Sequence, residues 1–424
     1  MHDHHVERDT CVGDFRAWGL PAWDFDAFHR EELPRRLAEG AAADVAWDLA
    51  GAPPMAIALP DGRAYTYIFA DGTVRIEPGI RADAVCALEM TEDAWQAHVV
   101  EFRTVSGLVL SQSVRFLRGD LESWDAWAPA LRRLYSGRPI YDPDEVLRDA
   151  NGAPLDLQRK FTLDDDHEEM SHFLNTAGYI VVRGAMAHLR DRISDEIDRI
   201  IGETREGNIY SWWVDNETTG ERFPYRLLYV SERSALVRSL MDDNAIIRTL
   251  AGLTGSPLVP VHDRMEGALC VLKPFKAGEE LAPSIAGNLG WHTDCGLGGC
   301  PITCPAVNIG IHLDGAGEGS SRLWALAGSR GRSIHDALNK RGVDMKNAVP
   351  LDTQPGDVTV HFTCLLHAGP PPSGNGGRRS LYLPFYAPET LRLLGPYQGF
   401  QQILPGFGTG DIPSVANVAK ELTA

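Results

Sequence analysis

The chain has 424 residues, and its 58 acidic against 40 basic side chains give a formal net charge of −18. Nucleic acids and anionic membrane surfaces attract basic patches, so this acidic balance argues against either as the main partner. A chain of this length exceeds what one hydrophobic core usually organises, and two domains are therefore expected.

The start of the chain and its cysteines bear on the cellular compartment. The segment from Met1 to His5 is polar and lacks the apolar centre of a signal peptide. No apolar run approaches the roughly 18 residues that a membrane span needs. The seven cysteines, an odd number without a secretory context, argue against a disulfide framework. The sequence predicts a cytoplasmic protein with a flexible N-terminus over residues 1–23.

Residues 24–135 show a self-consistent α+β pattern. A helical stretch from Phe25 to Ala42 precedes three alternating strand-like runs, which Asp61-Gly62 and Asp71-Gly72 separate as hairpin turns. A further strand ends before Thr91, which is expected to cap the next helix. The last helix follows a Gly-Asp turn and carries apolar residues at helical spacing, which indicates core packing. These residues are Leu121, Trp124, Trp127 and Leu131.

This order of elements resembles the sterol-carrier-protein-2-like fold, in the segments 71–79 and 82–84 and in the turn at Gly119-Asp120. The resemblance implies an α+β domain with a tunnel for a lipid. Residues 101–106 match poorly the glycine-containing loop that is common after the middle helix of that fold. A docking or dimerisation module with a solid core is therefore the alternative.

A polar segment over residues 136–160 separates this domain from the rest and is typical of a linker. Its prolines are Pro139, Pro143 and Pro154. Beyond it, Thr162 is expected to cap a helix that stops near Gly178, before a strand from Tyr179 to Val182.

The remainder of the chain alternates helical and β-like patterns. Helices around 188–201 and 235–253 carry apolar residues at every third or fourth position and should pack outside a sheet. The runs 268–273 and 306–313 are strand-like. The tail beyond Pro388 is rich in glycine and proline and is expected to be a covering loop or partly disordered.

Between those two strand-like runs lies a His-x-Asp pair, His292 and Asp294. Side chains two apart on a strand share a face, so this imidazole and this carboxylate can aim at one metal ion. A non-haem Fe(II) oxygenase needs two histidines and one carboxylate on one face, with the other positions open for a cosubstrate and O2. A lone His-x-Asp is weak evidence, so a third ligand is needed elsewhere in the chain.

The candidate for the third ligand is His367, with His361 as its rival. His367 is preferred because Arg378 follows it at the entrance of another strand-like run, one hairpin away from the metal. An arginine fork binds a carboxylate bidentately, and Ser380, two residues on, adds a hydroxyl to the same face. A metal face with an Arg-x-Ser clamp describes a site for 2-oxoglutarate, whose 2-oxo acid end chelates iron while its distal carboxylate pairs with the arginine.

From about Phe161 to Tyr386 the chain resembles the phytanoyl-CoA dioxygenase family of Fe(II)/2-oxoglutarate oxygenases. The matching segments are 178–184, 290–294, 321–329, the turn at 355–357, and the spacing from His367 to Arg378. One departure is Arg330, which stands where the family often has a histidine.

The family resemblance implies a double-stranded β-helix, or jelly roll, with flanking helices, in a domain over residues 161–424 that ends in a C-terminal extension. It implies that His292, Asp294 and His367 are the iron ligands and that Arg378 is the cosubstrate arginine. The cofactors implied are Fe(II), 2-oxoglutarate and O2.

The family's chemistry implies that 2-oxoglutarate and O2 react at the iron, release succinate and CO2, and oxidise an unactivated C–H bond. Hydroxylation is expected rather than halogenation, because halogenases give up the carboxylate ligand and Asp294 is a carboxylate. Desaturation, ring formation and epimerisation share the same first step, and the sequence does not separate them from hydroxylation. The family's founding activity acts on a branched fatty acyl thioester, which a carrier-like domain would suit. The expected substrate is a hydrophobic small molecule of acyl, isoprenoid or polyketide type, in a pocket that includes segments such as 211–225.

An alternative from another class is a non-catalytic lipid-binding or scaffold protein whose jelly roll has lost its chemistry. Decayed members usually lose a ligand or the arginine, and all four positions are intact here. Lys273 and Asn308 could touch the cosubstrate, but structural roles are favoured for both. A zinc or iron–sulfur site is not favoured, because the clustered cysteines lack a paired Cys-x-x-Cys spacing. These are Cys295, Cys300 and Cys304.

Overall fold

The computed structural model describes residues 21–41, 45–46, 49–263, 266–282, 287–294, 305–332, 346–394 and 415–423. Two separate hydrophobic cores form within these residues, one in the N-terminal part and one in the β-rich part. No helix in this part of the chain is long and apolar enough to cross a membrane. The cysteine cluster predicted not to bind metal lies outside the described residues.

The N-terminal domain is built on one five-stranded sheet. Its strands are β1 (Met55–Ala58), β2 (Ala64–Ala70), β3 (Thr73–Pro78), β4 (Cys86–Glu89) and β5 (Arg115–Arg118). Their order is β3-β2-β1-β4-β5, with β1 and β4 parallel and the other neighbours antiparallel. Gly62 and Gly72 take positive φ values of 92° and 73° in the turns of the two predicted hairpins. The strand pairing confirms both hairpins.

Helices cover this sheet. They are α1 (25–41), α2 (Glu92–Val99), α3 (Val105–Leu110), α4 (Leu121–Asp125) and α5 (Ala128–Ser136). The Thr91 side chain accepts a hydrogen bond from the backbone N–H of Ala94 at 3.2 Å, which confirms it as the cap of α2. The predicted tryptophan-rich helix is two helices, since the helix ends after Asp125 and a new one begins at Ala128. Trp124 and Trp127 are nevertheless fully buried, as core packing requires.

Aromatic side chains pack against one another in the N-terminal core. Phe25 lies edge-on to Trp95 with ring centroids 4.9 Å apart, and both are fully buried. The Tyr67 hydroxyl lies 2.6 Å from Nε2 of His29 and 2.6 Å from the hydroxyl of Tyr135. His29, Tyr67 and Tyr135 therefore form a chain of hydrogen bonds inside this core.

The segment 136–160, expected to be a linker, is irregular but packed. Tyr141 is buried in a small apolar cluster with Leu326 and Leu366, against which Trp291 also packs. Three leucines of the same segment pack against the β-rich core, namely Leu147, Leu155 and Leu157. The segment is thus a linker in composition but not a free tether, because it covers apolar surface of the second domain.

Helices flank the second domain on the outside, as expected. They are α6 (His167–Ala177), α7 (Arg190–Glu203), α8 (Val230–Arg233), α9 (Ala235–Asp242), α10 (Ala245–Gly252) and α11 (Pro388–Leu394). The expectation that Thr162 caps the first of these is wrong. Asp166 caps α6 by accepting from the backbone N–H of Glu169 at 2.9 Å, while Thr162 is occupied by Asp165 in the preceding turn. α6 ends at Gly178, as predicted, with a φ of 91°.

Two sheets form the second domain. Its strands are β6 (Tyr179–Val182), β7 (Ser211–Asn216), β8 (Arg222–Leu227), β9 (Val259–Pro260), β10 (Leu269–Lys273), β11 (Leu281–Ala282), β12 (Leu289–His292), β13 (Val307–His312), β14 (Leu323–Leu326), β15 (Ala348–Leu351), β16 (Val358–Phe362), β17 (His367–Gly369) and β18 (Arg378–Tyr386). The major sheet has the order β11-β7-β8-β10-β18-β13-β16-β6, with β9 beside β18, and the minor sheet has the order β12-β17-β14-β15. This arrangement agrees with the expected jelly roll.

The C-terminal tail differs from the expected loop. A last helix, α12 (Val415–Glu421), follows α11 in the described residues and contributes Val418 and Ala419 to the N-terminal core. The backbone N–H of Phe116 in β5 also donates to the carbonyl of Leu422 at 2.9 Å. The chain therefore returns to its first domain after completing the second one.

Candidate functional site

The pairing of β12 with β17 brings the predicted ligands together. His292 is the register partner of His367, and their ring centroids lie 4.2 Å apart. Asp294 follows β12, where its backbone N–H donates to the Thr363 carbonyl at 2.8 Å. Oδ1 of Asp294 is 3.7 Å from Nε2 of His292 and 3.5 Å from Nε2 of His367. One potential ligand atom from each of the three residues lies within 4.8 Å of the others, as a shared metal ion requires.

The two oxygens of Asp294 have different surroundings. Oδ2 accepts a hydrogen bond from Nδ2 of Asn308 at 2.7 Å and lies 3.5 Å from Nε2 of His361. Oδ1 instead faces the other two histidines. His361, the rival third ligand, therefore contacts Oδ2 of Asp294, whereas His367 contacts Oδ1. Such contacts orient a ligand without binding the metal themselves.

The ionisation of His292 and Asp294 suits a cation, whereas for His367 burial would lower the pKa but the Asp294 carboxylate outweighs burial and raises that pKa. Burial and the neighbouring His367 lower the pKa of His292 to about 3, so its imidazole is neutral at physiological pH. Burial would raise the pKa of Asp294, but the surrounding imidazoles of His367, His361 and His292 outweigh it and hold that pKa well below its usual range. Neutral imidazole and ionised carboxylate are the forms that bind metal ions.

A cavity of about 140 Å³ lies over this cluster. Its walls include apolar side chains from both sheets, namely Trp212, Leu269, Leu289 and Leu323. Its polar lining includes Asn308, His361, Arg378 and Tyr382 in addition to the three candidate ligands. The predicted pocket segment 211–225 forms the β7–β8 hairpin, and it contributes Trp212 and Tyr225 to the lining.

Arg378 lines this cavity with its charge unmatched. The residue is 3% exposed, and its Nε and Nη1 atoms have no hydrogen-bond partner in the part of the chain that the structure describes. Leaving a buried charged group unpaired is costly, so the arrangement indicates an anionic ligand. Arg379 alternates to the opposite face, where it pairs with Asp314 at 2.7 Å and Asp198 at 2.6 Å.

Ser380, expected to line the cosubstrate site with Arg378, does not line the cavity. It is fully buried beside Arg378, but its hydroxyl lies 3.1 Å from Nδ1 of His312, and it is not part of the cavity lining. Nε2 of His312 lies 3.0 Å from the hydroxyl of Thr359. Ser380 thus belongs to a buried network behind the arginine.

Lys273 and Asn308 have the structural contacts that were favoured for them. Nζ of Lys273 donates to Oγ of Ser321 at 2.7 Å and to the carbonyl of Gly369 at 2.8 Å, which joins β10 to the minor sheet. Asn308 orients Asp294. Both also line the cavity.

Sequence reasoning missed Arg226, Glu266 and Tyr382. Arg226 lines the cavity and donates to Glu266 at 2.7 Å, and the hydroxyl of Tyr382 has no partner in the described part of the chain. Tyr382 could have been found, because it shares the strand parity of Arg378. No local signal marks Arg226 or Glu266, since their meeting depends on a contact between residues 40 positions apart.

Residues 174–380 match the family model described as phytanoyl-CoA dioxygenase. No curated protein matches the chain. Among solved structures, AviO1 from Streptomyces viridochromogenes Tue57 is 23% identical, with 53% of this chain and 96% of that chain covered and a TM-score of 0.41. EctD from S. alaskensis with bound Fe is 15% identical over 65% and 92% of the two chains, with a TM-score of 0.42. EvdO2 from Micromonospora carbonacea var. aurantiaca, complexed with 2-oxoglutarate, is 19% identical over 54% and 94%, with a TM-score of 0.39.

Proposed function

We propose that this chain, whose residues 174–380 match the phytanoyl-CoA dioxygenase family model, is a 2-oxoglutarate-dependent oxygenase that uses iron and O2 and hydroxylates an unactivated C–H bond of a hydrophobic small molecule. His292, Asp294 and His367 would hold the iron, and Arg378 would bind the distal carboxylate of 2-oxoglutarate. Bound iron supplies the activation of O2, which converts 2-oxoglutarate to succinate and CO2 as the substrate is oxidised.

The observation that carries the proposal is the unmatched guanidinium of Arg378. Two of its nitrogen atoms lack partners in a cavity that also contains the His-Asp-His cluster. A 2-oxo dicarboxylate suits both features, because one end offers a carboxylate to the arginine and the other offers two oxygens to a metal. Neutral His292 and ionised Asp294 are already in the forms that such a metal needs.

The remaining residues would position rather than react. Asn308 and His361 hold Oδ2 of Asp294, which leaves Oδ1 directed at the metal position. Trp212 and Leu323 exclude water from the cavity and offer apolar contact to a substrate. This apolar lining favours a hydrophobic substrate body of the acyl, isoprenoid or polyketide type.

The test is oxygen consumption and succinate formation with Fe(II), ascorbate and 2-oxoglutarate. Wild type should turn over 2-oxoglutarate in an iron-dependent manner, slowly without substrate, and His292→Ala should not. His172→Ala is the control and should leave turnover unchanged, because this histidine contacts the Arg148 carbonyl and is not part of the cavity lining. Absence of turnover in wild type, with or without candidate substrates, would favour the non-catalytic alternative.

Hydroxylation also predicts independence from chloride. Asp294 occupies the position that a halogenase leaves free for halide, and its Oδ2 is held by two donors. Chlorinated product from the wild-type protein would contradict hydroxylation while leaving the iron site standing.

For the N-terminal domain we infer a docking or dimerisation role, in preference to lipid delivery through its core; a cavity of about 400 Å³ lies beside that core and is lined by Trp23, Val99 and Tyr135 among others. The observation that favours it is the contact of fully buried rings, such as Phe28 with Trp95 at 5.4 Å and with Tyr135 at 5.6 Å. The sterol-carrier-like fold stays a prediction. The test uses the whole chain, because α12 completes this core, and measures binding of a fluorescent fatty acid. Saturable binding that survives Trp212→Ala in the oxygenase cavity would restore the lipid-carrier role.

A further inference from the structure

The cavity contains a second arginine, Arg226, that the proposed iron and 2-oxoglutarate sites do not use. Strand β8 carries it, with Trp212 of β7 on one side and Val271 of β10 on the other as its register partners. Val271 in turn pairs with Ser380 of β18. Arg226 is therefore two strands away from the strand of Arg378, a separation of about 10 Å. That distance separates the two backbones, and Arg378 by itself offers the bidentate donors that one cosubstrate carboxylate needs, so Arg226 is left for another ligand.

The guanidinium of Arg226 is fixed in place but only partly engaged. Nη1 donates to Oε1 of Glu266 at 2.7 Å, and the group lies 5.0 Å from the centroid of the Trp212 ring. A guanidinium has five N–H donors, and Glu266 is the one hydrogen-bond acceptor that the described residues offer it. The Arg226 side chain is 18% exposed and lines the cavity, whereas Arg378 is buried. The rest of the Arg226 fork is thus open to the cavity.

The position next to Glu266 in the chain requires a glycine. Gly267 has a φ of 57°, and a Cβ there would lie 2.5 Å from the His262 carbonyl oxygen. No other residue fits this position without displacing backbone. Burial raises the pKa of Glu266. Burial would lower the pKa of Arg226, but the facing Glu266 carboxylate outweighs burial, so the guanidinium stays charged.

Stability alone gives little reason for such a pair. A buried ion pair can often be replaced by packed apolar side chains without loss of stability, because the desolvation of both charges offsets their attraction. Here the pair lines the cavity that also contains His292, Asp294 and His367. Trp212 supplies the stacking surface that orients an arginine fork toward a planar anion.

We propose that Arg226, held by Glu266 and Trp212, binds a carboxylate of the substrate, so that the oxidised molecule is an apolar acid rather than a wholly apolar compound. This rests on the proposed function and narrows its substrate class. A singly charged carboxylate fits better than a phosphate dianion, because the Glu266 carboxylate beside the arginine repels added negative charge. Leu269, Leu289 and Leu323 would contact the apolar body of the acid.

The test uses matched pairs of acid and amide, octanoate with octanamide and phenylacetate with phenylacetamide, added to the anaerobic protein with Fe(II) and 2-oxoglutarate. Binding is followed by the change in the visible absorption band of the iron–2-oxoglutarate complex and by calorimetry. Wild type should bind at least one acid about 10-fold or more tightly than its amide, since a hydrogen bond to a charged group is lost in the amide.

Variants assign the effect to the site. Arg226→Gln keeps an N–H donor for Glu266 and should abolish the acid-over-amide preference without changing the 2-oxoglutarate requirement. Glu266→Gln removes the competing carboxylate while keeping an acceptor for Arg226, and should not weaken acid binding. Arg222→Gln is the matched control on the same strand, because Arg222 pairs with Asp215 and Glu206 outside the cavity lining.

The outcomes are distinguishable. Equal responses to acid and amide in wild type, including no response to either, would overturn the proposal. It would also be overturned if Arg226→Gln raised the 2-oxoglutarate requirement and left the acid preference intact, because Arg226 would then bind the cosubstrate. Failure of wild type to form the iron–2-oxoglutarate complex at all would instead overturn the proposed function.

Discussion

In the N-terminal domain the buried His29, Tyr67 and Tyr135 hydrogen-bond to one another, whereas in the oxygenase domain the buried Arg378 leaves Nε and Nη1 without partners in the described residues. Among the described residues, the N-terminal domain also contains unpartnered buried atoms, namely Nε1 of Trp95 and Trp124, Oε1 of Gln96 and Nε2 of His98, but these groups are neutral. An unpaired neutral group costs about 1–3 kcal/mol and an unpaired charge costs more. The unmatched charge beside a cavity is therefore the stronger indication of a ligand.

The first domain thus leaves neutral buried groups unpartnered, whereas the second leaves a buried charge unpaired beside a cavity. We therefore assign the chemistry to the second domain and a packing role to the core of the first. Substitutions around the cavity should therefore alter binding, and substitutions in the N-terminal core should alter stability. The predictions below test that difference.

The largest effect is expected at His367. His367→Asn should abolish iron binding, because it removes a nitrogen directed at the metal position, whereas His361→Asn should weaken iron affinity by about 10–100-fold, since His361 contacts the ligand Asp294 and not the metal. Anaerobic Fe(II) titration measures both. A reversed order of effects would make His361 the ligand and would break the assignment of the metal face.

The next largest effect is expected at Arg378. Arg378→Gln should weaken 2-oxoglutarate binding by about 2 kcal/mol or more, roughly 30-fold, because it leaves a desolvated carboxylate poorly paired. Iron affinity should stay unchanged. Arg379→Gln is the matched control, because this residue pairs with Asp314 and Asp198 on the outer face. It should lower thermal stability only, and a raised 2-oxoglutarate requirement in this variant would contradict the strand register.

Much of this site could be predicted from local sequence, and the rest could not. The two-residue spacing of His292 and Asp294 and the alternation of Arg378 with Arg379 follow from strand geometry alone. The hydroxyl of Ser380 contacts His312 instead of the cavity, and this contact depends on the register between β13 and β18, which no single segment encodes. Contacts that require two distant segments to meet cannot be read from either one.

The same limit explains the outer parts of the chain. Pro139, Pro143 and Pro154 correctly indicate irregular structure over 136–160, but composition does not reveal that Tyr141 is buried against the second domain. The glycines and prolines beyond Pro388 likewise predict a loop where the last helix forms. Val418 of that helix is buried because the N-terminal core lies beside it. Propensity describes a segment and not its neighbours.

A smaller effect concerns pH, and it should appear in both domains. Burial lowers the pKa of His29 to about 4 and that of His312 to about 3, so each neutral imidazole stabilises the fold above its unfolded pKa of about 6.5. That stability is lost as the pH falls, by about 2 kcal/mol per histidine at pH 5. Below pH 4 His29 should contribute no further loss, whereas His312 should continue to contribute one.

Calorimetric unfolding at pH 6.5, 5 and 3.5 measures this loss. His29→Gln cannot be protonated and should flatten the pH dependence of the N-terminal transition alone. An unchanged slope in that variant would contradict the assignment of His29 as the responsible group.

The smallest effect is expected from removing residues 415–424. The truncation exposes the site of Val418 and should destabilise the N-terminal domain by about 2 kcal/mol. Turnover of 2-oxoglutarate should not change. Lys420→Ala is the control, because that side chain is exposed. A loss of turnover on truncation would mean that the two domains are coupled more closely than their separate cores indicate.

The central claim is that one iron ion lies between His292, Asp294 and His367 with 2-oxoglutarate on Arg378. The most direct measurement is a crystal structure grown anaerobically with Fe(II) and 2-oxoglutarate, with anomalous data collected at the iron absorption edge. We expect one anomalous peak bonded to Nε2 of both histidines and to Oδ1 of Asp294, with the distal carboxylate paired to Nε and Nη1 of Arg378. A peak bonded to His361 in place of His367, or a cosubstrate carboxylate on Arg226, would contradict it.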